Sequence, residues 1–188
     1  MSEASYSVAY VGDLLTFASS PAPRVHPGLR PGPRLGVRRG TSATAWYDTG
    51  CRLEATDRPG AIAAYERAIA GCPGLAAAHN NLGRLHHAAG APAVAESSYR
   101  LAICAAPGVA LYWFNLGVAV EDQGRHAEAI AAYERALEID AGTANAHYNL
   151  ARLLELKGRR RGDDAMLQLA VRHLLRYREL ERRNVSAR

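Results

Sequence analysis

The phrase HNNLGRLHHAAG, which opens at His79, returns as WFNLGVAVEDQG at Trp113 and as HYNLARLLELKG at His147, each time 34 residues further on. A fixed period of this length restricts the fold more than any other feature of the chain, because it marks one supersecondary unit copied and stacked. Aligned on the phrase, the chain divides into units 43–75, 76–109, 110–143 and 144–177. The last three are 34 residues long, and the first is one residue short in its internal loop.

The columns of this alignment agree in chemistry. After the Leu of the phrase stands a small residue: Gly83, Gly117 and Ala151, with Gly50 in the first unit. Seven residues on comes Gly90, Gly124 or Gly158. A small–aromatic–small pattern follows: Ala61–Tyr65–Ala68, Ala95–Tyr99–Ala102 and Ala129–Tyr133–Ala136. Pro73 and Pro107 close units one and two, and Ala141 takes that place in unit three.

Each unit reads as two helices. In unit three, Trp113, Leu116, Gly117 and Val120 fall at i, i+3, i+4 and i+7, a stripe that predicts a helix over 110–123. Gly124 ends it, since glycine accepts the left-handed conformation of a helix terminus. Residues 127–139 place Ala129, Ile130, Tyr133, Ala136 and Leu137 on one face of a second helix. Small residues on both sides let the two backbones approach, and Tyr133 fills the space beside them. Proline cannot continue a helix, so it punctuates the boundary. One hairpin cannot bury its own apolar face, whereas a stack of at least ~3 can.

The aromatic at 113, Leu116–Gly117, Ala129, Tyr133, Ala136 and the closing Pro73 and Pro107 resemble the tetratricopeptide repeat, over residues 43 to about 177. The resemblance implies an all-α fold: a right-handed superhelix (an α-solenoid) of four helix-turn-helix repeats. Three columns depart from the pattern. His79 and His147 stand where Trp46 and Trp113 do, and Thr49 replaces the phrase's Leu in unit one. Unit four lacks the Ala–Tyr–Ala pattern in register. Ungapped, Asp163 takes the first Ala slot; with seven residues inserted, Ala170 does, and seven residues are about two turns, so both registers present nearly the same face. Leu167, Ala170, Leu174 and Tyr177 form that face. The last helix is then a long C-terminal cap reaching about Arg183, with 178–188 its end and tail, and Arg172, Arg176, Arg178, Arg182 and Arg183 toward water.

Residues 18–42 contain five Pro, five Arg and four Gly, the composition of an extended basic arm, so 1–42 reads as a disordered leader with at most a short helix over 5–17. SYSVAYVGDLL followed by GLRPGPR faintly resembles a truncated MerR-type regulator head, too short for two helices and a wing. Charge is uneven: residues 1–42 carry +3, residues 43–156 carry −4 and residues 157–188 carry +6. The alternative function is therefore the repeat portion of a transcriptional regulator that touches nucleic acid non-specifically through its basic termini.

Catalytic chemistry finds no foothold in the sequence. GxxxxGK[ST], GxGxxG, HExxH and GxSxG are all absent. His79 and His86 lie seven apart on the inward face and read as core fillers rather than metal ligands, while His87 lies off that face. Cys51, Cys72 and Cys104 form no CxxC pair and are odd in number, so they read as small buried or half-exposed thiols in a reducing, cytoplasmic compartment. Glu3 and Asp13, with no early Lys or Arg, argue against a secretory signal, and no apolar run is long enough to span a membrane. The expectation is a non-enzyme without cofactor or metal.

At about 100° per residue, positions 111, 114, 115, 118, 121 and 122 point away from the inward stripe. In a tetratricopeptide stack the first helices line the concave groove, so the resemblance makes this the groove face. Asn81, Asn115 and Asn149 recur there, with Asp48 at the same place in unit one. A carboxamide offers both a donor and an acceptor, so such a ladder can hold the backbone of an extended peptide; it can equally tie adjacent repeats together. Arg84, Arg152, Tyr47, Phe114 and Tyr148 surround it, and aromatics and Arg dominate binding hot spots. The lone lysine, Lys157, lies outside this face, so the Lys/Asn clamp that some family members close on a C-terminal carboxylate is not matched. The function expected is a protein-interaction scaffold for a peptide or partner segment, monomeric or weakly self-associating.

Overall fold

The computed structural model describes residues 42–186, and among them the regular elements are eight α-helices. Four hairpins pair α1 (Ala43–Leu53) with α2 (Arg58–Gly71), α3 (Ala76–Ala88) with α4 (Pro92–Ala105), α5 (Ala110–Glu121) with α6 (His126–Ile139), and α7 (Ala144–Arg161) with α8 (Asp164–Ser186). Each hairpin also packs on the next, through α2–α3, α4–α5 and α6–α7. The readings of the basic leader, its short helix and the regulator-head likeness lie outside the described residues.

Helices α1, α2 and α8 start where a side chain satisfies a free N–H group, whereas α3 to α7 carry no side-chain cap. Ser42 Oγ accepts from Ala45 N at 3.2 Å, Asp57 Oδ1 from Gly60 N at 3.0 Å, and Asp163 Oδ1 from Met166 N at 3.0 Å. Proline stands in the first turn of α2 and of α4, where its missing N–H costs nothing.

The hairpins close on a glycine. A Cβ at Gly50 would fall 2.5 Å from Tyr65 Cε1, one at Gly83 2.7 Å from Tyr99 Cε1, and one at Gly117 2.5 Å from Tyr133 Cε1. The tyrosine ring of the second helix thus occupies the volume of a side chain that the first helix lacks. Around it the alanines at 61, 68, 95, 102, 129 and 136 are fully buried.

Unit four breaks the pattern at a defined place. Gly90 and Gly124 follow their helices in the left-handed conformation, at φ 76° and 75°. Gly158 in the same column instead lies inside α7, which ends four residues later at left-handed Gly162, φ 64°. The first helix is therefore longer than its counterparts, and α8 begins later. Asp163, the first Ala slot of the ungapped register, stands ahead of α8, and Leu167 packs on Gly158 rather than on Ala151, which decides in favour of the insertion, with Ala170 in the first small-residue slot at 2 % exposure. α8 extends three residues beyond Arg183.

Gly117→Ala sets a methyl against the Tyr133 ring and should cost ~2–3 kcal/mol. Gly74→Ala, where nothing lies within 4 Å, should stay within ~0.5 kcal/mol. Urea midpoints of the two variants check this; equal midpoints would remove the ring contact from its place in the fold.

Candidate functional site

The boundary column is built from a ring N–H and a carbonyl six residues earlier. His79 Nε2 lies 2.8 Å from Pro73 O, Trp113 Nε1 donates to Pro107 O at 2.9 Å, and His147 Nε2 lies 3.2 Å from Ala141 O. This explains how His and Trp share one slot: each presents an N–H to the same orphaned carbonyl. His79 is buried, as a core filler should be, whereas His86 is only half-buried. His87 bridges repeats, 2.7 Å from Asp122 Oδ2. The three cysteines are exposed rather than buried, although Asn81 of the next repeat reaches the Cys51 sulfur at 3.9 Å.

The asparagines join adjacent repeats. The Tyr65 hydroxyl donates to Glu54 at 2.5 Å, Asn81 Nδ2 donates to the Tyr65 hydroxyl at 3.1 Å and to Tyr47 at 3.4 Å, and Arg84 pairs with Glu54 at 3.3 Å. The last junction repeats the arrangement. Tyr133 donates to Glu121 at 2.8 Å, Asn149 Nδ2 donates to Tyr133 at 3.2 Å, and Arg152 pairs with Glu121. Burial pushes the Tyr65 hydroxyl up first, and the hydrogen bonds to Cys51 and Glu54 add to it, so it acts as a donor throughout. Burial likewise, followed by Cys51, pushes Tyr47 up to about 12.

The middle junction is different. His87 stands in the Glu54/Glu121 column and Val118 in the Arg84/Arg152 column. Asn115 Nδ2 donates instead to Asn80 Oδ1 at 2.8 Å, and Asn80 Nδ2 donates to Asn81 Oδ1 at 3.2 Å. The tie here comes from the opposite side: Glu96, 5 % exposed on α4, pairs with Arg100 and Arg125 and accepts from Gln123 Nε2 at 2.8 Å.

Of the eight side chains expected on the groove face, Asn81 and Phe114 are buried, at 9 % and 5 % exposure. Phe114 packs its ring 5.8 Å from Tyr133 and so offers almost no surface to a ligand, contrary to the expectation. The reason is that α5 has neighbours on more than one flank, α6, α4 and α3, whereas a single-helix wheel knows only one. Tyr47 is half-buried, 5.7 Å from Tyr65. Arg84 and Arg152 are partly exposed, each already paired with a glutamate. Tyr148 is 44 % exposed and lies 5.3 Å from Tyr177. Asn115 and Asn149 are half-buried, and their carboxamide oxygens accept no bond among the described residues. Leu111, 44 % exposed, shares this face. Sequence reasoning passed over Glu54, Glu121 and Glu96. The first two were findable as one acidic column facing a column of Arg in the following repeat.

Among the described residues no group of His, Cys, Asp and Glu has metal-site geometry, and no helix is long and apolar enough to cross a membrane.

The family model of the tetratricopeptide repeat matches residues 52–110, and a second model, described as TPR repeat, matches residues 117–158. The chain is a tetratricopeptide-repeat protein. Its fold is similar to that of MamA, with TM-score 0.67, 20 % identity, and coverage of 78 % of this chain and 82 % of that one. MamA 41-end from Desulfovibrio magneticus RS-1 matches with TM-score 0.63 at 21 % identity, over 76 % and 77 % of the two chains. The first TPR of Spaghetti (RPAP3), bound to the HSP90 peptide SRMEEVD, matches with TM-score 0.60 at 21 % identity, over 65 % of this chain and 99 % of that one. No curated protein shows a significant match to the chain.

Burial by itself would raise the Glu96 carboxyl, but hydrogen bonds from Arg125 and Gln123 and the charges of Arg100 and Arg125 outweigh it and hold the group below its ordinary value. A depressed carboxyl stabilises the fold above its unfolded pKa and loses that contribution as pH falls through the folded one. Glu96→Gln should therefore cost ~2 kcal/mol at neutral pH. The gap from wild type should close in acid, below the ordinary carboxylate value of 4.5. Denaturation midpoints measured across that range check it; a gap that persists in acid would contradict the charge-based account.

Proposed function

We propose that this repeat array is a non-catalytic adaptor that holds an extended segment of a partner protein along its first-helix face. Repeats of this family, including one solved with a peptide bound, support a protein-interaction scaffold as the coarser reading. The observation that carries the finer one is what remains on the face once internal bonds are counted. Among the described residues the oxygens of Asn115 and Asn149 accept nothing, and they lie on the same face as exposed Tyr148 and Leu111. Those oxygens can accept the N–H groups of an extended backbone, while the aromatic ring and the leucine provide apolar contact.

The engaged arginines separate this array from one that grips an acidic tail. Arg84 and Arg152 are both engaged by glutamates, and a terminal carboxylate would have to displace Glu54 or Glu121 to reach them. A shallow face of this kind gives affinity on the order of −8 kcal/mol, the micromolar range.

Selection from a displayed library of random peptides, followed by titration of the recovered sequences, tests the reading. Tyr148→Ala and Leu111→Ser should each weaken binding about tenfold, ~1.4 kcal/mol. Leu101→Ser, at an exposed position of α4, should leave it unchanged. Replacing all three ladder asparagines is a poor probe, because the loss of Asn81 and Asn149 also cuts inter-repeat bonds. Peptides that bind Tyr148→Ala and Leu111→Ser as tightly as wild type would sink the proposal.

A further inference from the structure

The capping helix α8 meets α7 through two ring pairs. His147 and His173 face each other Nδ1 to Nδ1 at 2.8 Å, with ring centroids 5.1 Å apart. One residue along α7 and one turn along α8, Tyr148 meets Tyr177 at 5.3 Å. The tautomers follow from the partners. Nε2 of His147 lies 3.2 Å from the Ala141 carbonyl, which only accepts, so this nitrogen carries the proton. Neutral His147 then has a bare Nδ1, and His173 must donate its Nδ1–H to it.

Added protons are not equivalent at this pair. The first fits on Nε2 of His173 and leaves the N–H···N bond intact. The second has no place except Nδ1 of His147. Two N–H groups and two positive charges would then face each other at a separation of 2.8 Å. Arg176 on α8 adds a third positive charge nearby, itself paired with Glu179 at 2.8 Å. Asp140, beside Ala141 at the end of α6, is committed to Gly142 N at 2.8 Å and the Thr143 hydroxyl at 3.3 Å. Tyr177 on α8, whose hydroxyl burial raises, stays neutral in this pH range. Neither imidazole is bonded to a carboxylate among the described residues, so nothing offsets a double charge.

We propose that the His147–His173 pair is a pH-sensitive seat for the capping helix, closed by one shared N–H and opened when both imidazoles are charged. Burial, and then the charge of Arg176, hold His147 below its ordinary value, against the opposing pull of the Ala141 carbonyl; burial, and then His147, do the same for His173. With both values depressed, the folded protein binds fewer protons than the unfolded chain below the ordinary imidazole value of 6.5. The seat is at full strength above that pH and weakens progressively below it. Tyr177 is carried on the same helix. On the peptide-face reading given above, opening the seat also removes the ring that backs Tyr148 and so alters that end of the face.

The test uses the full chain without any ligand, so it stands or falls separately from peptide binding. Imidazole proton shifts are followed by NMR while amide exchange of α8 is compared with that of α5, between about pH 8 and pH 5. Both His147 and His173 should titrate below 6.5. Protection of α8, corrected for the intrinsic exchange rate, should fall about tenfold more than that of α5. His173→Phe keeps a ring and removes the titrating nitrogens, so its α8 protection should be flat with pH. Wild-type α8 protection that does not change with pH, the same fall in the variant, or either imidazole titrating at or above 6.5 would overturn the proposal. If the variant does not fold, the wild-type titration decides alone.

Discussion

The array depends on a tyrosine ring resting where a glycine has no side chain. Gly50 with Tyr65, Gly83 with Tyr99 and Gly117 with Tyr133 set how closely the two helices of a hairpin approach, and the fully buried alanines around them follow from that approach. The ring is long enough to cross the hairpin, so its hydroxyl emerges on the far side. There Tyr65 and Tyr133 each donate to a glutamate of their own repeat and accept from an asparagine of the next. One side chain thus fixes the inside of a repeat and supplies the hook for its neighbour. Where the column changes to Ala151 and Leu174, in unit four, the hydroxyl is missing, and α8 is held through the histidine and tyrosine pairs instead.

The junctions are unequal for the same reason. The first and last carry the Tyr–Glu–Asn–Arg arrangement, in which the buried hydroxyl satisfies two partners and the arginine neutralises the glutamate. In the middle, Val118 and His87 remove the arginine and the glutamate together, so neither is left without its partner. The charged tie moves to Glu96, where two arginines and a glutamine surround one nearly buried carboxylate. A buried carboxylate is tolerable only with this many donors, because half-satisfied ion pairs destabilise more than they contribute.

The hairpins, their order and the identity of the repeat were legible because period and residue size are carried by the sequence itself: glycine, alanine and tyrosine return in phase. The site was less legible. A helical wheel separates one side of a helix from the other, but α5 packs on α3, α4 and α6, so Phe114 disappears into the core while Leu111 remains exposed. The fourth unit left two registers open, since two turns of insertion restore the same face. Only the packing of Gly158 against Leu167 and the place of Asp163 ahead of α8 separate them. Asn recurring at one slot did not reveal whether its two ends face a neighbour or a ligand, and the structure divides the group: the amide nitrogens bond inward, while two of the three oxygens accept nothing among the described residues.

That division bears on how a polar column in a stacked repeat acquires function. A donor used at every junction constrains the residue at every junction, whatever binds outside. Its second atom is then carried along at the same period, and at Asn115 and Asn149 it accepts no bond among the described residues. Asn115 and Asn149 present such atoms one repeat apart, and a backbone in extended form offers N–H groups at a short regular spacing. On the proposed reading, an array built to hold its own repeats in register would thereby acquire acceptors for a partner segment. On that reading specificity would come from residues outside the column, such as Tyr148 and Leu111, which the packing leaves uncovered.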